Sequence, residues 1–281
     1  MVKYLLSFLL LFSSLIADET VVIEEENLLT SKIKSFVDLD VYDKNSEFIK
    51  IIFSPESDFY ENERVNAVKV VSTLKDNGLL KLFFKKPQEL NLHFKTSGSS
   101  VFFVKLMSDT LRNIGYYRYV TTASNLNPSE FTWSISLTSE YATDPVILQR
   151  ELAKRGCKII DIHRNLSNDW TYVVDMQGGF LNVATLKNGK EVKLKRSLYA
   201  HWLNSSKIKN LRIRSSVRNN WYPYIAYYDK SLHLLKVIKR DEKYRDINLK
   251  IPKCAKYIKI SDRYTLKNIK DNLTLSPTGV R

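Results

Sequence analysis

Apolar residues follow two regimes along this chain: a helical period in its first two thirds and a two-residue period after it. The segment 104–119, VKLMSDTLRNIGYYRY, has an imperfect copy at 68–82, VKVVSTLKDNGLLKL, and a fainter one at 146–160, VILQRELAKRGCKII. Each keeps a leucine four residues ahead of a glycine: Leu74 before Gly78, Leu111 before Gly115 and Leu152 before Gly156. The spacing predicts three helices that each close at a glycine and turn directly into a strand. A helix often ends on a residue of positive φ, which glycine adopts without a Cβ clash.

Three α-β-β passes follow from this pattern. A first strand is predicted at 48–53, FIKIIF, and Asn62 is placed to cap a helix with Val65, Val68, Val71 and Leu74 on one face. Segments 79–84 and 90–94 read as two strands joined through Pro87. The second pass opens at Ser99 or Ser100, lines its helix with Val101, Val104, Met107, Leu111 and Ile114, and continues as strands at 116–122 and 131–137. In the latter, FTWSISL alternates apolar and polar residues, the mark of a strand with one wet face. The third pass starts with Asp144 as cap and Pro145 at the first helical position, and ends in strands at 157–162 and 170–175. Such passes laid on one sheet predict an α+β fold of tandem ferredoxin-like repeats with helices on one face. Over roughly residues 48–176 this topology resembles the small periplasmic α/β modules of secretin N-domains, polypeptide-transport-associated domains and BON domains.

Gln177-Gly178-Gly179 marks a boundary, and beyond it the helical period vanishes. Asn188-Gly189 predicts a two-residue hairpin between strands at 181–186 and 191–194. Further strands are predicted at 211–215, 222–228, 232–239, 247–251, 256–260 and 273–275, a density that suits an all-β sandwich. The run INLKIPKCAKYIKIS at 247–261 resembles the penultimate strands of jelly-roll domains of the discoidin and carbohydrate-binding-module type, and NNWYPYIAYYDKSLHLLKVIKR reads like their preceding hairpin. That resemblance implies a jelly-roll binding fold without choosing a ligand.

Residues 1–17, MVKYLLSFLLLFSSLIA, carry a lysine, a short apolar run and small residues, and read as a secretory signal peptide. No later stretch is long and apolar enough to span a bilayer. An acidic leader at 18–45, whose start is read as a solvated tail, then precedes the repeat unit at 46–177, as one unit or two subdomains, and the sandwich at 180–281. The expected location is therefore periplasmic or secreted. Export permits a disulfide between Cys157 and Cys254, the only cysteines, but both sit at predicted strand starts where separate core thiols are the preferred reading.

Charge divides the chain at the same boundary. Residues 181–281 hold 24 Lys and Arg against 7 Asp and Glu, a net of +17, whereas 18–180 hold 19 against 23, a net of −4. A field of that sign concentrates polyanions. In an exported protein these are lipopolysaccharide phosphates, acidic glycans, anionic lipids or an acidic envelope protein, and export takes nucleic acid out of reach. Alternation exposes Arg212 and Arg214 opposite the core pair Leu211 and Ile213, and exposes Lys256, Tyr257 or Lys259 according to register. Trp221, Tyr222, Tyr224, Tyr227 and Tyr228 crowd one hairpin beside Tyr199 and Trp202, rings of the kind that stack on sugars. Tyr222, Tyr224 and Tyr228 point one way and Trp221, Ile225 and Tyr227 the other, so one set is core. The expected ligand-binding set is Arg212, Arg214, Trp221, Tyr222, Tyr224, Lys256 and Lys259.

No catalytic motif or cofactor loop is legible. The four histidines, His93, His163, His201 and His233, lack a Cys or acidic residue three or four positions downstream, so no metal site is expected, and His93 reads as a structural polar residue on an alternating strand. The reading is an exported non-catalytic adaptor that needs no cofactor. Its alternative is a structural subunit or scaffold of an envelope machine, such as a secretion, pilus or flagellar assembly.

Overall fold

The computed structural model describes residues 27–281 and is a mixed α+β fold dominated by sheets. The predicted signal peptide and the first part of the leader lie outside the described residues. Where the leader was expected to continue, two helices form instead: α1 (Leu28–Lys34), capped by Asn27, and α2 (Leu39–Lys44). Leu29, Ile33, Phe36 and Val37 are buried, and these apolar residues override the polar character of the surrounding sequence.

The predicted strand 48–53 is also a helix, α3 (Ser46–Ile52). Ile49 is buried, and Ile52 and Phe53 pack beside it, while Phe48 and Ile51 face out. The i, i+3, i+4 spacing that a short apolar run cannot disclose decides for the helix. A two-strand ribbon follows, β1 (Tyr60–Glu61) and β2 (Arg64–Val65), with Asn62 and Glu63 at positive φ in its turn. Asn62 is thus a turn residue, and the cap of α4 (Ala67–Asp76) is Asn66, whose side chain accepts from Lys69 N at 3.0 Å. The buried face of α4 is Ala67, Val70, Val71 and Leu74, shifted from the predicted one.

Segments 79–84 and 90–94 do not make two strands. Most of that stretch is one strand, β3 (Phe83–Thr96), whose pairing is irregular around Pro87, the one residue that lacks a ladder N–H. Next come α5 (Ser100–Asn113), β4 (Val120–Leu126), β5 (Phe131–Tyr141), α6 (Pro145–Ala153), β6 (Lys158–Leu166) and β7 (Asp169–Asp175). The buried face of α5 is Phe102, Phe103, Leu106, Met107 and Leu111 rather than the valines, because two large rings bury more apolar area than Val101 and Val104. One five-stranded sheet, ordered β4-β5-β3-β7-β6, gathers all three passes, with β3 and β7 parallel and every other pair antiparallel. Leu90, Leu92, Phe94, Trp133, Ile135, Trp170 and Tyr172 face the helices and form the core with them.

Past Gly179 come β8 (Val192–Leu194), β9 (His201–Asn204), β10 (Ile208–Ser215), β11 (Pro223–Tyr228), β12 (Leu234–Lys239), β13 (Asp246–Lys250), β14 (Tyr257–Asp262) and β15 (Leu273–Val280). They form two antiparallel four-stranded sheets, β13-β10-β15-β8 and β12-β11-β14-β9, with an apolar core between them drawn from both. The turn at Asn188-Gly189 exists, with Gly189 at φ 71°, but its flanks do not pair as a hairpin. Residues 184–186 bond instead to Asn204, and Gly189 N donates to Pro277 O at 2.9 Å. No described helix is long and apolar enough to cross a membrane.

The two parts share packing. Leu181, Leu232 and Tyr257 belong to the core of the five-stranded unit, and Phe180 N donates to Arg155 O at 3.0 Å. Gly78, Gly115 and Gly156 all hold positive φ, at 75°, 102° and 69°. Only Gly156 is also crowded by backbone, since a Cβ there would run into the carbonyl of Gly178. Gly156→Ala is therefore expected to cost about 3 kcal/mol or more, against about 1 kcal/mol for Gly78→Ala and Gly115→Ala, which have open space. Urea unfolding midpoints measure the difference, and equal losses at the three sites would show that Gly156 and Gly178 do not pack closely.

Candidate functional site

The outer face of the β13-β10-β15-β8 sheet is built by alternation. On β10, Leu211 and Ile213 turn into the core, so Arg212 and Arg214 turn out. Register then sets Asn248 of β13 and Ser276 of β15 on either side of Arg212, and Lys250 and Thr278 on either side of Asn210. Together these residues line a groove of about 690 Å³.

Both arginines are partnered. Arg212 Nε donates to Asp246 Oδ1 and Oδ2 at 3.0 and 2.8 Å, its Nη2 adds a third bond to the same carboxylate, and Arg214 Nη2 donates to Glu191 Oε2 at 2.8 Å. Hydrogen bonding from Arg212 holds the Asp246 carboxyl below the usual range. No protein partner is seen for the Lys250 ammonium or for the amides of Asn210 and Asn248 among the described residues. The groove thus offers amide and hydroxyl groups suited to a polyhydroxylated ligand, with cations suited to an anionic one. It carries no aromatic ring.

The rings are on the opposite outer face. On β11, Ile225 and Tyr227 are core, while Tyr224 and Tyr228 point out. Lys259 Nζ lies 5.7 Å from the Trp202 ring centre and 6.0 Å from that of Tyr224; Lys239 Nζ lies 5.6 Å from Tyr224 and Lys105 Nζ, from α5, 5.6 Å from Trp202. Cations and rings alternate across this sheet, within the roughly 6 Å over which a ring attracts a cation. Part of the face is covered by the five-stranded unit. Tyr257 is buried and its hydroxyl accepts from Leu181 N at 3.0 Å, Ser99 Oγ donates to Ser231 O at 3.0 Å, and the Arg112 guanidinium stacks 4.4 Å from the Tyr199 ring centre.

The predicted binding residues are therefore not one site. Arg212 and Arg214 occupy one outer face, Tyr224 and Lys259 the other, and a two-sheet core separates them. Tyr222 packs edge-on against Tyr264, ring centres 5.0 Å apart. Lys256 is half-buried where β14 begins, with its N–H bonded to Tyr228 O. Trp221 is no surface ring: it is 0% exposed in the sandwich core and its Nε1 donates to Ser261 O at 2.9 Å. The correction has a simple cause, because the ring is large and its one polar atom finds a main-chain acceptor, so burial leaves nothing unpaired.

Lys250 and Asn248 escaped the sequence reading, although INLK alternates at 247–250 and could have exposed them. Trp202 meets Lys259, and Lys239 meets Tyr224, only through strand pairing, which no local signal announces. Neither cysteine is bonded. Cys157 is buried, with its thiol pushed up to about 11 by desolvation. Cys254 is exposed in the turn before β14 rather than in the core, because the chain reverses from Pro252 to Ala255 before the strand starts. Among the described residues no three His, Cys, Asp or Glu side chains are grouped to hold a metal. The chain matches no protein-family model, no curated protein and no solved structure.

Trp221→Ala is expected to cost about 3–5 kcal/mol through the cavity it leaves, whereas Arg212→Ala, at an exposed ion pair, is expected to leave the unfolding midpoint nearly unchanged. Chemical denaturation followed by fluorescence checks the pair. A thiol titration with a disulfide reagent at pH 8 is expected to consume one thiol quickly in the native protein, Cys254, and the second only in denaturant; two fast thiols would contradict the burial of Cys157.

Proposed function

We propose that the protein is an exported adaptor of the cell envelope whose basic sandwich binds, without chemistry, an anionic glycan or lipid headgroup. The observation that carries this reading is the groove over β10, where Arg212, Arg214 and Lys250 stand among the amides of Asn210 and Asn248 and the hydroxyls of Ser276 and Thr278. Within the sandwich, ion pairs of lysine and arginine among the described residues involve Arg212, Arg214 and Arg263, so most of its 24 cations are uncompensated. The jelly-roll assignment is part of the same reading. Counting β8 to β15 as one to eight, the sheets run 1-8-3-6 and 2-7-4-5, and pairing of the first strand with the last supports two interleaved Greek keys. The likeness to small periplasmic α/β modules is likewise proposed for the five-stranded unit, in which β3-α5-β4-β5-α6-β6 supports a ferredoxin-like element with β7 inserted between β3 and β6.

A second reading makes the chain a scaffold subunit of an envelope machine. One observation favours it: β4 is an edge strand, and its Val120 and Leu126 are exposed, a surface on which a partner strand would complete the sheet. Photocrosslinking from Val120 in whole cells would then give one discrete adduct.

Binding through the groove is expected to weaken steeply with salt, since the Debye length falls from about 10 Å at 0.1 M to about 3 Å at 1 M. Arg212→Glu, Arg214→Glu and Lys250→Glu combined are expected to lower affinity for lipopolysaccharide or phosphatidylglycerol vesicles by roughly tenfold or more at low salt, with little change in Tm. Surface plasmon resonance on immobilised lipopolysaccharide, an acidic polysaccharide and an oligonucleotide separates the ligand classes. Unchanged affinity in the triple variant, or no binding to any anionic surface, would remove the proposal.

A further inference from the structure

A relay of three side chains lies outside the sandwich and plays no part in polyanion binding. Ser134 of β5, His93 of β3 and Asp169 of β7 stand on three adjacent strands, on the sheet face turned away from α4, α5 and α6. Pairing sets His93 directly across from Ser134, and sets Asp169 across from Asn91, the neighbouring outward position on β3. Ser134 Oγ is 2.7 Å from His93 Nδ1, and His93 Nε2 is 3.2 Å from Asp169 Oδ1. Asn165 Nδ2 donates to the same Oδ1 at 2.8 Å, so the carboxylate is held from a second side.

Donor and acceptor chemistry then sets the tautomer. A carboxylate oxygen accepts, so the tautomer that suits both contacts has its proton on Nε2 and a bare Nδ1. The bare nitrogen accepts the Ser134 hydroxyl proton, and the oxygen lone pairs stay available. A hydroxyl beside an imidazole that is itself beside a carboxylate is the order of groups that turns serine into a nucleophile, here with the serine on Nδ1 and the carboxylate on Nε2, the reverse of the usual attachment. Ser134 is 5% exposed and the His93 side chain 29%, so the hydroxyl is held largely covered and the imidazole is its more solvent-facing partner. Beside Ser134 the ladder breaks: the β4 partners of Ile135 and Ser134 are Thr121 and Ala123, which leaves Thr122 as the extra residue of a bulge, a feature over-represented next to active sites.

We propose that Ser134 is a nucleophile towards carboxylic esters, with His93 as general base and Asp169 as the residue that positions it. Ser134 Oγ bonds to the ester carbonyl carbon as its proton passes to Nδ1, and the carbonyl π pair moves to oxygen. When that pair returns, the bond to the leaving alcohol breaks and the Nδ1 proton goes to the departing oxygen. Water repeats the two steps, so ester and water become acid and alcohol and the serine is restored. Apart from the bulge, the main-chain N–H groups nearby are engaged in pairing, and a missing oxyanion donor costs about 10²–10³ in rate. Slow turnover is the consequence, and reagents with good leaving groups are the proper probes.

The test is labelling of the full chain with a fluorophosphonate probe and location of the adduct by peptide mass spectrometry. One adduct is expected, on Ser134, absent in Ser134→Ala. His93→Gln is expected to slow labelling by roughly 100-fold or more. In Asp169→Asn the new amide donates to Nε2 and moves the ring proton to Nδ1, where it blocks the serine; labelling then slows and the ring ¹⁵N shifts report the exchanged tautomer, which a merely structural role would not produce. No adduct on Ser134 of the unaltered protein overturns the proposal whatever the variants do, and so does a labelling rate unchanged in a folded His93→Gln protein.

Discussion

Side chains alternate across a β-strand, and when two sheets must turn apolar faces towards each other that alternation sends every outward residue to one of two surfaces that never meet. The sandwich is organised by this constraint. Leu211 and Ile213 go inward, so Arg212 and Arg214 face a polar groove, while Ile225 and Tyr227 go inward on the other sheet, so Tyr224 points towards Lys259 and Lys239. A basic composition is thereby divided into two chemically different faces, one of amides, hydroxyls and forked arginine pairs, the other of rings flanked by ammonium groups.

The second face is also a seam. Tyr257, Leu232 and Leu181 pack into the core of the five-stranded unit, and Lys105 and Arg112 of α5 rest on Trp202 and Tyr199. The boundary glycines do not act as a loose hinge. Gly178 backs directly onto Gly156 at the end of the α6 turn, and Phe180 bonds to Arg155 in the same turn. The exposed groove on the far sheet is therefore presented to solvent on a support that is fastened from behind.

Across the five-stranded sheet, alternation works on a single wet face. Three positions far apart in the chain, 93, 134 and 169, are brought within hydrogen-bond distance because β5, β3 and β7 are neighbours in the sheet order. A search for histidine with ligands a few residues away passes over this group, since its members are linked by strand pairing rather than by local spacing.

Much of the architecture follows from residue order alone where the cause is local. Gly78, Gly115 and Gly156 end or follow helices at positive φ, Asp144 and Pro145 start α6, and FTWSISL makes a strand with its apolar residues inward, because each outcome depends on neighbours within one turn or one pleat. The change of charge at Gly179 is likewise a property of composition. Tertiary structure decided the rest. FIKIIF became a helix because Ile49, Ile52 and Phe53 found a core on one side, β3 ran on through Pro87 because β5 and β7 flank its second half, and Trp221 went inside because Ser261 offered an acceptor across the sheet. Which outward residues share a face, and whether a histidine meets a serine and an aspartate, depends on strand order and register. Those are set by burial summed over residues remote in sequence, and no local pattern carries that sum.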